Sequence, residues 1–312
     1  MRPCSPCTSS RRLGPFSGRP SVIEPVLTGE RTWPDIPRET YWFMRHLACY
    51  QWAAYQLGSD KLGADQLGTD PAGATAGKTT QIPRIPGETR QIPRYPGETR
   101  QIPRYAVLDA GSGEGYGAAE ISRLSSTRIA APRVTAVELD AATAGHARNH
   151  YPGVDHVRAN LIALPFADGS FHSAVSLQVI EHIWDPVTYL RELDRCTSGP
   201  IVISTPNRPV HSPHVARGER PANPFHVREY DAEELRESLL AVNSQRTPLL
   251  FGLHHGPRIA AWEHAHGALP DALLAEEPAA AAFAHGIDGD DFVIAPLQAD
   301  DDPRVHDLVA LW

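Results

Sequence analysis

Apolar positions along this chain fall into two alternating patterns. Short runs end abruptly in an acid, a glycine or a proline, and the stretches between them carry apolar residues at helical intervals. The runs predict strands at 105–109, 133–139 and 156–160, one ending near Glu181-His182, and others at 200–205 and 248–253. Residues 291–294 and 307–311 read as a strand pair. Helices are expected from near Glu39 to Leu57, over 118–124, from Asp185-Pro186 with Leu190, Leu193 and Cys196 facing inward, from near Ala232, and over the alanine-rich 269–284. Strands alternating with helices describe an α/β sheet, in which ligands bind beyond the carboxyl ends of the strands.

Two stretches break the alternation. Residues 56–70 repeat with a period of five, and 81–105 repeat Gln-Ile-Pro-Arg-x-Pro-Gly-Glu-Thr-Arg with a period of ten. Neither period builds a solenoid. Two prolines and a glycine in each longer repeat exclude a helix or central strand, and the sparse apolar residues cannot offset the entropy of ordering. The expected organisation is therefore a disordered tail at 1–27, a helical lid at 28–57, a low-complexity insertion at 58–103 and one α/β domain at 104–312. Between the repeats, residues 72–79 fit a permissive phosphate-loop pattern, but no strand or helix flanks them and the match is rejected.

Composition narrows the classes. A formal charge of −8 over 312 residues argues against a nucleic-acid partner. No apolar run is long enough to span a membrane and the first twenty residues carry no signal-peptide core, so a cytoplasmic protein is expected. Cys4 and Cys7 form one Cys-x-x-Cys pair without a second, and with Cys49 and Cys196 they read as free thiols.

The candidate chemistry begins where the strand at 105–109 meets Asp109-Ala-Gly-Ser-Gly-Glu-Gly-Tyr-Gly. Glycines let the chain turn tightly and let a ligand lie against the backbone. The dinucleotide fingerprint needs glycine where Tyr116 stands, which disfavours an NAD-linked enzyme. An acid two residues before Gly-x-Gly-x-Gly resembles the cofactor loop of class I S-adenosylmethionine-dependent methyltransferases. That resemblance implies a Rossmann-like, seven-stranded sheet with helices on both faces. It also implies S-adenosyl-L-methionine as cofactor, held by Asp109, Gly111, Ser112 and Gly113, by Glu138 on the ribose hydroxyls, by Leu139 under the adenine, and by Asn160, Leu161 and Gln178. Asn160 stands where the family usually has aspartate.

Glu181 and His182 are the candidates for chemistry. A hydroxyl acceptor must lose its proton, and an imidazole titrates near neutrality. A structural role for the same pair stays open. Gly-Glu-Arg-Thr, Tyr-Trp-Phe-x-Arg-His, Ser-Thr-Pro-Asn-Arg, Asn-Pro-Phe-His and His-Gly-Pro-Arg further resemble an actinobacterial methyltransferase group linked to methylglucose lipopolysaccharide synthesis. This implies a sugar hydroxyl as acceptor, with Arg45, His46, Asn207, Arg208, His226 and Arg228 as candidate contacts. The alternatives are a small phenolic or quinone-like acceptor and a cofactor-binding protein without catalysis. No metal is expected, because no carboxylate pattern accompanies His211 and His214.

Overall fold

The computed structural model describes residues 32, 39–58, 105–125, 132–297 and 305–312. The expected tail at 1–27, residues 59–103 of the expected insertion, and Cys4 and Cys7 lie outside them. An opening helix, α1 (Thr40–Gly58), precedes β1 (Ala106–Ala110), α2 (Tyr116–Ser125), β2 (Arg133–Glu138), α3 (Ala141–His150) and β3 (Asp155–Arg158). Then follow β4 (Ser173–Leu177), α4 (Pro186–Cys196), β5 (Ile201–Pro206), α5 (Arg208–His211), α6 (Ala232–Val242) and β6 (Leu249–His255). Helices α7 (Pro257–His266), α8 (Leu269–Leu274) and α9 (Pro278–Ala284) lead to β7 (Phe292–Pro296) and β8 (Asp307–Leu311).

The strands form one sheet in the order β3-β2-β1-β4-β5-β8-β6-β7. The first five are mutually parallel, whereas β8 runs antiparallel to both β5 and β6, and β7 antiparallel to β6. Strand order reverses between β1 and β4, which places their carboxyl ends side by side at the switch point. Every residue of β4 and β5 is buried, as expected of strands covered on both faces.

Four sequence expectations change. The sheet has eight strands rather than seven, because β7 adds an outer edge to β6. The strands read as a pair do not touch: β8 enters the slot between β5 and β6, where all five of its residues are buried, and β6 separates it from β7. Alanine-rich 269–284 is two helices, since Glu276 turns left-handed (φ 56°) and Pro278 starts a new first turn. Helices α3 and α7 have no strong pattern in the sequence. Helix α3 buries only Thr143, Ala144 and Ala147, too weak a stripe to recognise, although Asp140 caps it by accepting from Thr143 N–H.

Helix α1, within the expected lid, contributes one face to the core. Tyr41, Arg45, Cys49, Ala53 and Leu57 recur every four residues, and all are buried. The helix packs on α2 and on the sheet. Tyr50 lies against Gly117, where a Cβ would come within 2.1 Å of the ring.

Candidate functional site

At the carboxyl end of β1 the glycines divide their work. Gly111, Gly113 and Gly115 have φ of 85°, 50° and 85°, backbone angles that suit residues without a Cβ. A Cβ on Gly111 would sit 2.5 Å from Val179, so that glycine permits close packing of the loop on the chain after β4. Around Gly113 nothing lies within 4 Å of the Cβ position. The loop is tied to β2 from behind, where Gly111 and Ser112 both donate to the Val137 carbonyl at 2.9 Å.

Glu138 closes the same cradle. Its Oε2 accepts from Gly113 N–H at 3.1 Å and its Oε1 from Asp140 N–H at 2.8 Å. Leu139 beside it is 58% exposed, an apolar surface at the strand end. Asn160 is exposed and its Oδ1 accepts from Ile162 N–H at 3.2 Å, whereas Leu161 is buried. Gln178 adopts φ 56°, unusual for a residue with a side chain, and donates from Nε2 to Ser204 Oγ at 3.1 Å.

Asp109 lies under this cradle instead of on its open side. It is fully buried, and the Tyr50 hydroxyl donates to its carboxylate at 3.3 Å. Burial pushes its pKa up to about 7, an effect that the Tyr50 bond partly opposes. Tyr50 was missed in the sequence because it looked like one more core aromatic of α1.

A second, polar group forms beyond β4. The turn Ile180–His182 carries Glu181 inward, 1% exposed, with Thr205 Oγ1 donating to its Oε2 at 3.0 Å. Burial pushes Glu181 up to about 8, partly offset by nearby His226. The Glu181 backbone carbonyl accepts from Val227 and Arg228 N–H at 2.8 and 3.2 Å, which pins segment 223–230 to the turn. His182 Nδ1 donates to the Phe225 carbonyl at 3.2 Å. His226 Nδ1 donates to Glu229 at 2.7 Å, and the rings of His182 and His226 meet edge to face at 5.0 Å. Burial raises the Glu229 pKa, but bonds from His226 and Ser212 outweigh it and hold the carboxyl below its usual range. Ligand-capable atoms of Glu181, His182 and His226 all lie within 4.8 Å of one another. Exposed aromatics flank them: Trp184 is 87% and Phe225 53% accessible.

Other candidate contact residues meet the protein itself. Arg45 is 5% exposed and paired with fully buried Asp307 at 3.1 Å. His46 Nδ1 meets the Tyr116 hydroxyl at 3.2 Å. Asn207 donates to the Val305 carbonyl at 2.9 Å; Arg208 binds Asp231 and Glu234; Arg228 reaches Glu234 and lies over the Tyr230 ring. Of the six expected acceptor contacts, His226 has its ring beside Glu181 and His182, and Arg228 meets Glu181 through its backbone N–H. Arg45 shows what signal was available, since it occupies the buried four-residue stripe of α1 and so required a buried acid.

Comparison with known proteins places the chain in a family. Residues 108–199 match the methyltransferase domain family. Two Mycobacterium tuberculosis proteins, described as probable S-adenosylmethionine-dependent methyltransferases, are 36% identical over 250 residues, covering 80% of this chain and 70% of theirs. A Mycolicibacterium smegmatis protein of the same description is 33% identical over 309 residues, covering 95% of this chain and 97% of its own. A solved Thermotoga maritima methyltransferase, described as a possible histamine N-methyltransferase, aligns with a TM-score of 0.45 at 15% identity, over 68% of this chain and 83% of its own. On the strength of the mycobacterial relatives, the chain belongs to the class I S-adenosylmethionine-dependent methyltransferases.

Proposed function

We propose that this methyltransferase acts on a sugar hydroxyl, of the kind carried by precursors of methylglucose lipopolysaccharide. The observation that carries the reading is the polar group of Glu181, His182, His226 and Glu229, flanked by exposed Trp184 and Phe225. Sugars offer hydroxyls to the first set and apolar ring faces to the second. A phenol-like acceptor would call for an apolar floor in place of two carboxylates and two imidazoles.

The cradle suits S-adenosylmethionine. Open space at Gly113 admits a ligand against the backbone, the Glu138 carboxylate can accept from vicinal hydroxyls, and exposed Leu139 offers an apolar face to a base. Gly111, Ser112, Asn160, Leu161 and Gln178 complete the proposed lining, with Asp109 supporting it from below. Bound there, the cofactor supplies an electrophilic methyl group on a sulfonium.

The chain's own task is to orient and deprotonate the acceptor. Because the Phe225 carbonyl can only accept, His182 carries its proton on Nδ1 and presents the Nε2 lone pair. With the cofactor bound, the acceptor hydroxyl would give its proton to that nitrogen as its oxygen took the methyl group, the sulfonium leaving as a neutral thioether. Glu181, 4.0 Å from Nε2 and bonded to Thr205, fixes the turn that carries His182.

The test supplies labelled methyl donor with gluco-oligosaccharides and, in parallel, simple phenols. Label in the oligosaccharide fraction, lost in His182→Ala, is the expected result. Label in the phenols alone would overturn the sugar reading.

A further inference from the structure

Between β5 and α6 the chain makes one long loop, residues 208–230, which includes the short α5 and brings the Phe225 carbonyl and the His226 ring to His182. Its two ends meet, with Arg208 N–H donating to the Tyr230 carbonyl at 2.8 Å. Within it, Asn223 Oδ1 accepts from Phe225 N–H at 3.0 Å, Asn223 Nδ2 donates to His226 Nε2 at 3.1 Å, and His226 Nδ1 donates to Glu229 at 2.7 Å. Ser212 Oγ accepts from Ala222 N–H at 3.0 Å. These bonds make the loop one body, and its contacts with the rest of the fold set where that body sits.

One residue gathers three of those contacts. Glu234, in the first turn of α6, has a fully buried side chain. Arg208 donates to its Oε2 from Nη2 at 2.8 Å and from Nε at 3.2 Å, and Arg217 and Arg228 each reach its Oε1 at 3.2 Å. These arginines stand at the start, in the middle and near the end of the loop. Asp231 and Glu237 take second contacts from Arg208 and Arg217. Capping does not account for the set: Glu234 closes the capping box of α6 by accepting from Asp231 N–H at 3.1 Å, a task that needs no arginine. Burial pushes the Glu234 pKa up, but the Asp231 N–H and the arginines outweigh it and hold the carboxyl below its usual range, so the charge persists. Arg228 links this centre to the catalytic turn. Its backbone N–H donates to the Glu181 carbonyl at 3.2 Å, while its side chain goes to Glu234 and lies over the Tyr230 ring.

We infer that Glu234 is a positioning residue for methyl transfer: by holding Arg208, Arg217 and Arg228 it fixes loop 208–230, and through the Phe225 carbonyl it keeps the His182 proton on Nδ1. It touches neither reactant. Neutralising Glu234 leaves Asp231 and Glu237 to balance three guanidinium groups, which then repel one another and loosen the loop. When Phe225 withdraws, the imidazole loses the carbonyl that selects its tautomer, and the neutral ring divides between two forms. The inference rests on His182 acting as the base, and it holds for a sugar or any other hydroxyl acceptor.

Nitrogen-15 spectra of the imidazoles read the tautomer without any acceptor. They are recorded on the full chain with S-adenosylhomocysteine bound, at about pH 8.5, well above the ordinary histidine value, and the His182 signals are identified by their loss in His182→Ala. In the unaltered protein His182 should be protonated on Nδ1 alone. Glu234→Gln, which keeps the shape and an acceptor for the cap, should mix the tautomers and lower kcat on gluco-oligosaccharides about 10- to 100-fold. Arg228→Met, which spares the cap and keeps an apolar chain over Tyr230, should act in the same direction with a smaller effect. Arg133→Met, which breaks an exposed ion pair with Asp155 at the other end of β2 from Glu138, should change nothing. Added to His182→Ala, Glu234→Gln should lower kcat no further, because its effect passes through that imidazole. Retained S-adenosylhomocysteine binding shows that each variant is folded. An unmixed Nδ1 tautomer in both folded variants would overturn the inference, as would a Glu234→Gln loss that adds in full to that of His182→Ala. A ring protonated on Nε2 in the unaltered protein would remove His182 as the base and the inference with it.

Discussion

The proposed cofactor cradle and the polar group beyond β4 sit at neighbouring strand ends yet are built in opposite ways. The cradle is made largely of backbone: glycine angles, two N–H groups on the Val137 carbonyl, and a glutamate that accepts from two more. It comes from one continuous strand, loop, helix and strand. The polar group is made of side chains from two distant segments, held together by two backbone bonds to the Glu181 carbonyl. One region is suited to binding a fixed cofactor, and the other to chemistry that can change with the residues placed there.

If that division is right, changes should separate binding from turnover. The largest effect is expected from His182→Ala, which should lower kcat about 10²- to 10⁴-fold and leave S-adenosylhomocysteine affinity, read by calorimetry, unchanged. A parallel loss of affinity would show that the two regions are not independent. Arg45→Met tests the helix that supports the cradle, since α1 sends Tyr50 to Asp109 as well as Tyr41 to His255 and Arg45 to Asp307. It leaves a buried carboxylate uncompensated and should cost about 3–5 kcal/mol in denaturant unfolding.

Glu138→Ala sharpens the other side. Losing the acceptor for Gly113 and Asp140 N–H should weaken S-adenosylhomocysteine binding by roughly 1–3 kcal/mol, with no change in the pH profile of kcat. Two glycines give a smaller contrast. Gly111→Ala collides with Val179 and should destabilise by about 1–3 kcal/mol, whereas Gly113→Ala meets no neighbour and should lower cofactor affinity more than stability.

The smallest expected effect is one of pH. Between its ordinary value of 4.5 and its folded value of about 8, Glu181 holds a proton in the folded chain that the unfolded chain releases. Its contribution to stability is complete below the lower value and is lost as pH rises through the upper one. Asp109 acts in the same direction between 3.8 and about 7. Tm should therefore fall from pH 5 to pH 8, and Glu181→Gln should flatten that slope. An unchanged slope would mean that Glu181 is ionised throughout.

Local chemistry determined what could be read from the chain alone. The strand-to-loop glycines, the acid at the end of β2, and the Asp185-Pro186 helix start each depend on residues a few positions apart, so their geometry is written in short stretches of sequence. Tertiary structure decided what depends on burial and distant pairing. Asp307 became a buried counter-ion because β8 enters between β5 and β6, and that insertion parted the strands that looked like a pair. Asp109 met Tyr50 because α1 packs across the loop. His226 reached Glu181 through backbone bonds that no side-chain pattern announces, whereas Arg208 and Arg228, equally suggestive in sequence, turned to Glu234. A charge excluded from water is held wherever the fold supplies its partner, and the partner's place is set by the packing of the whole sheet.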